Sequence, residues 1–357
     1  MENNDDIKKI SSPRYVQTSL AAAMTLGMEP GRFKEKVKLT GLNLLLFYDK
    51  KCIGRCAYCG LSKEKAGEED SPKKKSKTFI RVKWPAYLLE DIIKKTAENP
   101  LAFERICISM VTHPEAVADS INITRKIRKE LPQPISILLA PTLIKDKAIL
   151  QEIKDAGADM AGIAIDAATE DIFDKYRGKG VKGPHKWSHY WQVLEWAVEI
   201  FGEFKAGVHL ITGLGETQKE MVNAIYRAHK MGAKTHLFSF YPEASSLLEE
   251  KEPPDLLHYR KIQMARYLIN EKNTGVEILK FDNDENICDF DYDIESIISD
   301  GFAFMTSGCP GKNKDITACN RPLANERPSE TFRNYPYVPD EQEKVLIKNQ
   351  IRVLINK

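Results

Sequence analysis

The sequence contains no apolar run of about 18 residues, the length at which a segment is read as a membrane-spanning helix. Its first ten residues, MENNDDIKKI, are acidic and polar, whereas a secretion signal starts basic and continues apolar. A charge excess is also missing, because 53 basic residues against 51 acidic residues leave a net charge of only +2. Nothing global therefore points to nucleic acid or an anionic membrane. We expect a cytoplasmic protein that binds neither, and whose binding site is local.

The cysteine content does not suit a disulfide framework. There are seven cysteines, an odd number, and three of them fall within eight residues. Such clustering is typical of a metal site in a protein from a reducing compartment.

Short apolar runs alternate with longer amphipathic stretches, which is the sequence form of βαβ units and a parallel sheet. Several of the amphipathic stretches end on glycine, as helices commonly do. The predicted strands are 42–48, 105–111, 135–141, 160–166, 206–213, 235–241, 276–281 and 302–308. Eight strands, each followed by a helix, predict an α/β fold of the (β/α)8 TIM-barrel type, with the active site at the C-terminal ends of the strands.

The barrel is expected to span residues 39–308, with an additional segment at each end. Residues 1–38 predict a helical extension that packs on the barrel, since the stretch SLAAAMTLG is apolar. Residues 309–357, rich in Pro, Asn and Arg and containing two cysteines, predict a loop-rich cap. Residues 62–78 are charged and lack apolar periodicity, which predicts a mobile surface loop.

The strongest motif is CIGRCAYC, in which Cys52, Cys56 and Cys59 are spaced C-x3-C-x2-C directly after the first predicted strand. Three thiolates can hold three irons of a [4Fe–4S] cluster and leave the fourth iron open to a small molecule. The alternative is structural zinc, which requires a fourth nearby ligand and usually uses C-x2-C pairs. The motif therefore favours an open iron–sulfur site.

This spacing, the aromatic Tyr58 before the last cysteine, and the barrel pattern together resemble the radical S-adenosylmethionine (SAM) superfamily over residues 40–310. The resemblance implies that the open iron binds the amino and carboxylate groups of SAM. One electron from the reduced cluster would then cleave SAM to a 5'-deoxyadenosyl radical. Cys52, Cys56 and Cys59 would be the catalytic ligands, and the protein would position the substrate and exclude water.

Two segments are similar to parts of biotin synthase. In MAGIAIDAATEDIFDKYRG, the resemblance implies that Asp166 contacts the ribose of SAM, although Asp166 could instead cap the helix that begins near Thr169. In the same segment Arg177 would neutralise the methionyl carboxylate, or else be an exposed residue at a helix end.

The second segment, AGVHLITGLGET, is similar to the part of biotin synthase and its relatives in which a strand ends in a glycine turn followed by Glu and Thr. We expect Gly213, Gly215 and Glu216 to contact the cofactor, since glycine permits close backbone approach. An ordinary turn between a strand and a helix is the alternative.

The remaining cysteines, Cys107, Cys288, Cys309 and Cys319, have the number that would ligate a second iron–sulfur cluster. Cys107 lies in the second predicted strand, where biotin synthase has one ligand of its sulfur-donating cluster, but the other positions of that pattern lack cysteine. Cys309 and Cys319 flank a loop after the last predicted strand, so we expect them at the barrel mouth, joined by Cys107 or Cys288. Alternatively, Cys107 is a small buried apolar residue.

The surroundings of the last two cysteines, SGCPG and ACNRP with the nearby NERP, resemble the bipartite lipoyl synthases, which are biotin synthase-like sulfurtransferases. The resemblance implies sulfur insertion from a second cluster into an octanoyl chain. Expected partners are a lipoyl-carrier protein or peptide, a paralogous radical SAM protein, and ferredoxin or flavodoxin as electron donor.

Two other functional classes stay open at this point. One is a radical SAM enzyme that catalyses a rearrangement or forms a C–C bond without inserting sulfur. The other is a non-enzymatic iron–sulfur protein for electron transfer or cluster assembly. The histidines do not decide between them, because His209 in the fifth predicted strand could face substrate or the core, and His185 could serve only packing.

Overall fold

One eight-stranded sheet organises the chain in the computed structural model, which describes residues 10–33, 37–50, 52–62, 82–244, 246–313, 317–319 and 331–355. Its strands in chain order are Tyr15–Thr18 (β1), Gly41–Leu45 (β2), Ala86–Leu88 (β3), Arg105–Ser109 (β4), Ile135–Leu139 (β5), Met160–Asp166 (β6), Ala206–Thr212 (β7) and Ala233–Ser239 (β8). Strands β2 and β4 to β8 are parallel neighbours in that order. Strand β1 pairs antiparallel with both β2 and β3 at one edge.

Helices connect the parallel strands. They are Leu20–Thr25 (α1), Leu89–Glu98 (α2), Ala116–Glu130 (α3), Lys147–Asp155 (α4), Glu170–Tyr176 (α5), Trp187–Phe201 (α6), Gln218–Lys230 (α7), Leu256–Glu271 (α8), Ile294–Asp300 (α9), Glu341–Gln350 (α10) and Arg352–Ile355 (α11). Polar side chains start several of them: the Asp146 carboxylate accepts from two N–H groups of α4, and Thr217 forms a capping box with Glu220 at α7. Within the described residues, no helix is long and apolar enough to cross a membrane.

Successive side chains along each strand point alternately to the hydrophobic core and to the face that carries the candidate site. In β4, Ile106 and Ile108 are fully buried in the hydrophobic core, while Arg105, Cys107 and Ser109 line cavities on the other face. The period of two in a strand produces this division. The parallel sheet therefore presents a row of chemically useful side chains to its concave side.

The α/β prediction is confirmed, with strand and helix alternating through six of the eight predicted strands. The two predicted strands nearest the C-terminus differ. Within 276–281 only Leu279–Phe281 (β9) is a strand, and it pairs antiparallel with Ile287–Phe290 (β10) in a separate hairpin. Within 302–308, Phe302–Phe304 forms a 3-10 turn after Gly301. Over the described ranges the main sheet therefore has two edges, β3 and β8, and a closed barrel is not observed.

The N-terminal segment is also different from the expected helical extension. Its helix α1 forms in the predicted apolar stretch, but β1 precedes it and joins the main sheet. The hydroxyl of Thr18, at the end of β1, donates to the carbonyl of Asn43 in β2 at 2.7 Å. Sheet pairing, a tertiary interaction, decides the structure of this segment. Residues 63–81, which hold most of the predicted surface loop, lie outside the described ranges.

The C-terminal segment crosses the sheet at the N-terminal ends of the parallel strands, whereas the sequence predicted it at their C-terminal ends. Ser307 bonds to β8, with its hydroxyl accepting from Leu237 N–H at 2.9 Å. Further on, Lys312 N–H donates to the carbonyl of Glu104 at 3.1 Å, and Ala318 O accepts from the hydroxyl of Thr40 at 3.0 Å. Glu104 and Thr40 immediately precede β4 and β2. The segment with Cys309 and Cys319 thus lies at the N-terminal ends of the strands, and the prediction of the barrel mouth was wrong.

A buried arginine attaches the last part of the chain to the sheet domain. Arg260 of α8 is fully buried and donates to the carbonyls of Phe332 and Arg333 and to the side chains of Gln263 and Gln350. Its guanidinium also lies over the rings of Phe304 and Tyr335. These contacts satisfy backbone groups that would otherwise be buried without partners.

Replacing this arginine should destabilise the fold. We expect Arg260→Met to lower the free energy of unfolding by about 3 kcal/mol, because the Phe332 carbonyl and the side-chain oxygens of Gln263 and Gln350 lose this donor. The measurement is chemical denaturation followed by circular dichroism. As a control, Lys348→Met removes an exposed ion pair with Glu295 and should change stability by less than about 0.5 kcal/mol. Equal losses in the two variants would contradict this role for Arg260.

Candidate functional site

A cavity of about 270 Å³ lies at the C-terminal ends of the parallel strands, and we call it the upper cavity. Its wall contains Cys52, Cys56 and Cys59, so the structure brings the predicted triad together at the end of the sheet where it was expected. All seven cysteines of the chain are free thiols. Much of the remaining wall is apolar, formed by Leu45, Met110, Val111, Leu138, Leu139, Ile211, Phe238 and Phe240.

Backbone contacts hold the cysteine loop in place. The N–H of Ile53 donates to Thr112 O at 3.0 Å, and the N–H of Thr112 donates to the sulfur of Cys52 at 3.3 Å. On the other side, Ala57 N–H donates to Tyr176 O at 2.8 Å. The loop is therefore attached both to the segment after β4 and to the end of α5. A ligand site on rigid elements keeps its geometry better than one on a free loop.

Burial disfavours the thiolate form of two cysteines of the triad. Burial raises the pKa of both Cys56 and Cys59, and for Cys56 the nearby Arg177 guanidinium works in the opposite direction. Metal ligands must be thiolates, so iron binding would displace protons and remove this cost. Beside them, burial and Arg177 lower the pKa of His185 to about 3, so its imidazole is neutral at physiological pH.

The chemistry of this donor set suits an iron–sulfur cluster. Among the residues that the structure describes, no three His, Cys, Asp or Glu side chains converge closely enough for a single metal ion. Three thiols that each bind a different iron stand farther apart than the ligands of one ion. Structural zinc usually takes four ligands around one ion, whereas the triad contributes three thiols to the wall of the upper cavity.

Asp166, Tyr58 and Arg177 form one buried network in the wall of the upper cavity. The Tyr58 hydroxyl donates to Asp166 Oδ2 at 2.6 Å, and Arg177 Nη1 donates to the same oxygen at 2.8 Å. Arg177 also donates to the carbonyls of Ala164 and Ile165. These bonds hold the Asp166 carboxylate in a fixed orientation at the cavity.

The structure decides against two alternatives for this network. The residue that caps α5 is Thr169, whose side chain accepts from Ile172 N–H, so Asp166 is not the cap. Instead Asp166 ends β6 at an irregular position with a φ of 67°. Arg177 is 6% exposed and so is not a solvated residue at a helix end.

The glycine turn after β7 lies away from this site. Gly213, Gly215 and Glu216 are not in the wall of the upper cavity. The Glu216 carboxylate accepts from the N–H groups of Gly213, Leu214 and Gly215 at 2.6 to 3.0 Å, so it closes its own turn. Gly213 has a φ of +104°, and a Cβ there would lie 2.6 Å from Pro254. In this geometry the three residues close their own turn, and their contact with the cofactor stays a prediction.

A second, smaller cavity of about 30 Å³ lies toward the N-terminal ends of the strands, and we call it the lower cavity. Cys107, Cys309 and Cys319 all line it, although they come from β4 and from the distant C-terminal segment. Cys288 lies in β10 of the separate hairpin and lines neither cavity. The structure thus gathers three of the four remaining cysteines and leaves out the fourth.

The environment of Cys309 favours its thiolate. Burial raises the pKa of this thiol, but the surrounding polar and charged side chains, among them His236, Arg105 and Ser136, outweigh burial and lower the pKa to about 7. Polar donors around a cysteine sulfur are what a cluster ligand requires. Of the motifs that flank these cysteines, NERP and residues 320–324 lie outside the described ranges.

Sequence reasoning missed several polar residues in these walls. His185 Nε2 lies 3.6 Å from the Cys56 sulfur, and its Nδ1 lies 2.7 Å from the hydroxyls of Thr142 and Tyr190. Glu243 is a buried carboxylate in the wall of the upper cavity. His209 lines both cavities, which settles its orientation. Only the period-two positions of β7 could have indicated His209, and loop residues such as His185 and Glu243 carry no such signal.

Removing the triad should remove one cluster. We expect a Cys52→Ala, Cys56→Ala and Cys59→Ala triple variant, reconstituted anaerobically with iron and sulfide, to bind about four fewer irons than the unsubstituted chain. The measurement is iron and acid-labile sulfide per chain. Cys288→Ala serves as the matched control and should leave the iron content unchanged. Full iron content in the triple variant would exclude a cluster at the triad.

Comparison with known proteins places this geometry in a family. Residues 50–242, just over half of the chain, match the model of the radical SAM superfamily. No curated protein sequence matches the chain. Among similar solved structures, methylornithine synthase (PylB) is 14% identical, with 64% of each chain covered and a TM-score of 0.44.

The radical S-adenosylmethionine methyltransferase TsrM from Kitasatospora setae is 13% identical, with 59% of this chain and 38% of that chain covered. Its TM-score is 0.39 with cobalamin and a [4Fe–4S] cluster bound, and 0.40 with tryptophan and a SAM analogue bound. This chain thus spans less than two thirds of either protein. On the family match, which implies a [4Fe–4S] cluster and SAM as cofactors, the chain belongs to the radical SAM superfamily.

Proposed function

We propose that this protein is a radical SAM sulfurtransferase that inserts sulfur into an unactivated C–H bond of a protein-bound octanoyl chain, as the resemblance to biotin synthase and bipartite lipoyl synthase implies. The observation that carries the proposal is the convergence of Cys107, Cys309 and Cys319 in the lower cavity. When bound, the first cluster and SAM supply the 5'-deoxyadenosyl radical, and a second cluster supplies sulfur.

The relative position of the two cavities supports this assignment. Both are lined by His209 and Phe238, so they are neighbours on the concave side of the sheet. The triad lies at the C-terminal ends of the strands and the other three cysteines lie toward the N-terminal ends. A chain held between them would meet hydrogen abstraction on one side and a sulfur donor on the other. Such proximity is the main contribution that a protein makes to radical chemistry of this kind.

The upper cavity has the character that an alkyl substrate needs. The eight apolar wall residues named above present hydrocarbon surface from β2, β5, β7 and β8 and from the segments after β4 and β8. Burying methylene groups there is favourable by about 0.8 kcal/mol for each group. An apolar wall also excludes water from the radical. The partners would be a lipoyl-carrier protein or peptide, a paralogous radical SAM protein, and ferredoxin or flavodoxin as electron donor.

For SAM itself, the structure favours Asp166 as the polar contact. Arg177 already donates hydrogen bonds to Asp166 and to two carbonyls. We therefore expect Arg177 to orient the Asp166 carboxylate rather than to bind the methionyl carboxylate of SAM. A carboxylate fixed at the cavity can accept bonds from two ribose hydroxyls.

Neutralising this carboxylate should weaken cofactor binding. We expect Asp166→Asn to raise the Kd for SAM by about tenfold, because a hydrogen bond to a charged acceptor contributes about 1.5 kcal/mol or more. Equilibrium binding to the reconstituted protein measures this effect. Asp171→Asn, an exposed carboxylate change in the first turn of α5, is the control and should bind SAM normally. Unchanged affinity in Asp166→Asn would remove the ribose contact.

Substituting cysteines of the lower cavity tests their proposed role as ligands of a sulfur-donating cluster. We expect a Cys309→Ala and Cys319→Ala double variant to lose sulfur transfer to an octanoyl-lysine peptide and to contain less iron, because its second cluster lacks two ligands. It should still produce 5'-deoxyadenosine from SAM after reduction with dithionite, since the triad is intact. Product analysis by mass spectrometry and iron counting make both measurements.

The same experiment separates the alternative functions. Unsubstituted protein with about eight irons supports sulfur insertion, whereas about four irons, unchanged in the double variant, supports a rearrangement or C–C bond-forming enzyme. Absence of 5'-deoxyadenosine would exclude both enzymes and leave an electron-transfer or assembly protein. Cys288→Ala is again the control, with normal iron and normal sulfur transfer expected.

A further inference from the structure

The lower cavity contains three thiols, one fewer than the four ligands that usually complete an iron–sulfur cluster. Sequence reasoning offered Cys288 as a further ligand, but that residue lies in the β9–β10 hairpin and not in this cavity. We propose that Nε2 of His236, in β8, completes the coordination of the second cluster together with Cys107, Cys309 and Cys319. This inference rests on the proposed sulfur-insertion function, which requires that cluster.

The His236 ring is oriented so that Nε2, and not Nδ1, is available to bind iron. Its Nδ1 lies 3.1 Å from the carbonyl oxygen of Ser307. Because a carbonyl only accepts, Nδ1 carries the proton, and in the neutral ring Nε2 has the lone pair. A histidine that binds metal typically donates its other ring N–H to a backbone carbonyl or carboxylate in this way. The bond to Ser307 therefore sets both the tautomer and the ring plane.

His236 also lies near a proposed ligand. The side chains of His236 and Cys309 line the same cavity. Both groups are enclosed, since His236 is only 6% exposed. Ser307, which orients the ring, is two residues before Cys309. The segment that contains Cys309 therefore also orients the His236 ring.

The neighbouring strand makes room for Nε2. A Cβ at Gly207 of β7 would lie 2.7 Å from this nitrogen, closer than real side chains approach. Glycine at this position is what allows the ring to occupy its site. Any larger residue would displace the ring from the cavity.

Other polar groups of the lower cavity are less suited to bind iron. Arg105 uses its guanidinium to donate to Pro310 O, to the Ser136 hydroxyl and to Asp159, and a guanidinium has no acceptor to offer. The ring of His209 packs edge-on against His236, with centroids 5.3 Å apart. Its Nε2, however, approaches Gly162 of β6, at 3.4 Å from where a Cβ would be. The Nε2 of His209 therefore lies beside β6, whereas the Ser307 carbonyl orients the ring of His236.

A histidine ligand has a chemical consequence. Neutral imidazole replaces an anionic thiolate, so the cluster carries less negative charge and its reduction potential rises. Exchanging the ligand for cysteine should therefore lower the potential of the second cluster while keeping its iron. Exchanging it for alanine should lower the iron content.

The test uses the full chain with Cys52→Ala, Cys56→Ala and Cys59→Ala, so that any cluster observed belongs to the lower cavity. Protein labelled with 15N-histidine is reconstituted and reduced, and pulsed electron paramagnetic resonance measures nitrogen hyperfine coupling. We expect strong coupling from one directly bonded histidine nitrogen. His236→Cys in the same background should lose the coupling and retain iron, and the control His209→Phe should retain both.

The outcomes separate this inference from the proposed function. A triple variant that contains a cluster without directly bonded nitrogen would overturn the role of His236 and leave sulfur insertion standing. Coupling that persists in His236→Cys, or that is lost in His209→Phe, would overturn it as well. A triple variant that binds no iron at all would overturn both the ligand and the second cluster.

Discussion

The parallel direction of β2 and β4 to β8 is the constraint on which both cysteine sites depend. Because all six strands run the same way, their C-terminal ends meet at one edge of the sheet and their N-terminal ends at the other. Loops after the strands, including the triad loop, therefore converge on the upper cavity. Side chains nearer the strand starts, such as Cys107, face the lower cavity. A group of cysteines lies at each end of the strands because the C-terminal segment returns to the strand starts.

That return depends on a buried guanidinium. Arg105 at the start of β4 donates to Pro310 O and the Ser136 hydroxyl, and forms an ion pair with Asp159 at 2.5 Å. The ion pair itself contributes modestly, since the Asp159 side chain is 48% exposed and water screens it. The bond to Pro310 matters more, because it fixes the residue next to Cys309 beneath the sheet. A buried guanidinium without such partners would be strongly unfavourable, so the contact is specific.

The sequence predicted the upper site well and the lower site incompletely, for physical reasons. Strand periodicity and the spacing of Cys52, Cys56 and Cys59 are local signals, and they located the triad at the C-terminal end of a parallel sheet. The runs 276–281 and 302–308 are short and apolar, and such runs do not distinguish strands from buried turns. Which end of the sheet receives Cys309 is decided by contacts such as Arg105 with Pro310, between residues far apart in sequence. Local pattern contains no information on those contacts.

The two sites share one electrostatic arrangement. Each pairs a buried arginine with a cysteine sulfur: Arg177 acts on Cys56 in the upper cavity and Arg105 on Cys309 in the lower cavity. In both, a carboxylate holds the guanidinium, Asp166 above and Asp159 below. Clusters with thiolate ligands are anionic, and in a wall of low dielectric an opposing charge offsets much of the cost of burying them. Arg177 and Arg105 would therefore favour thiolates in the two cavities, and the buried Asp166 and the half-exposed Asp159 are the carboxylates that pair with them.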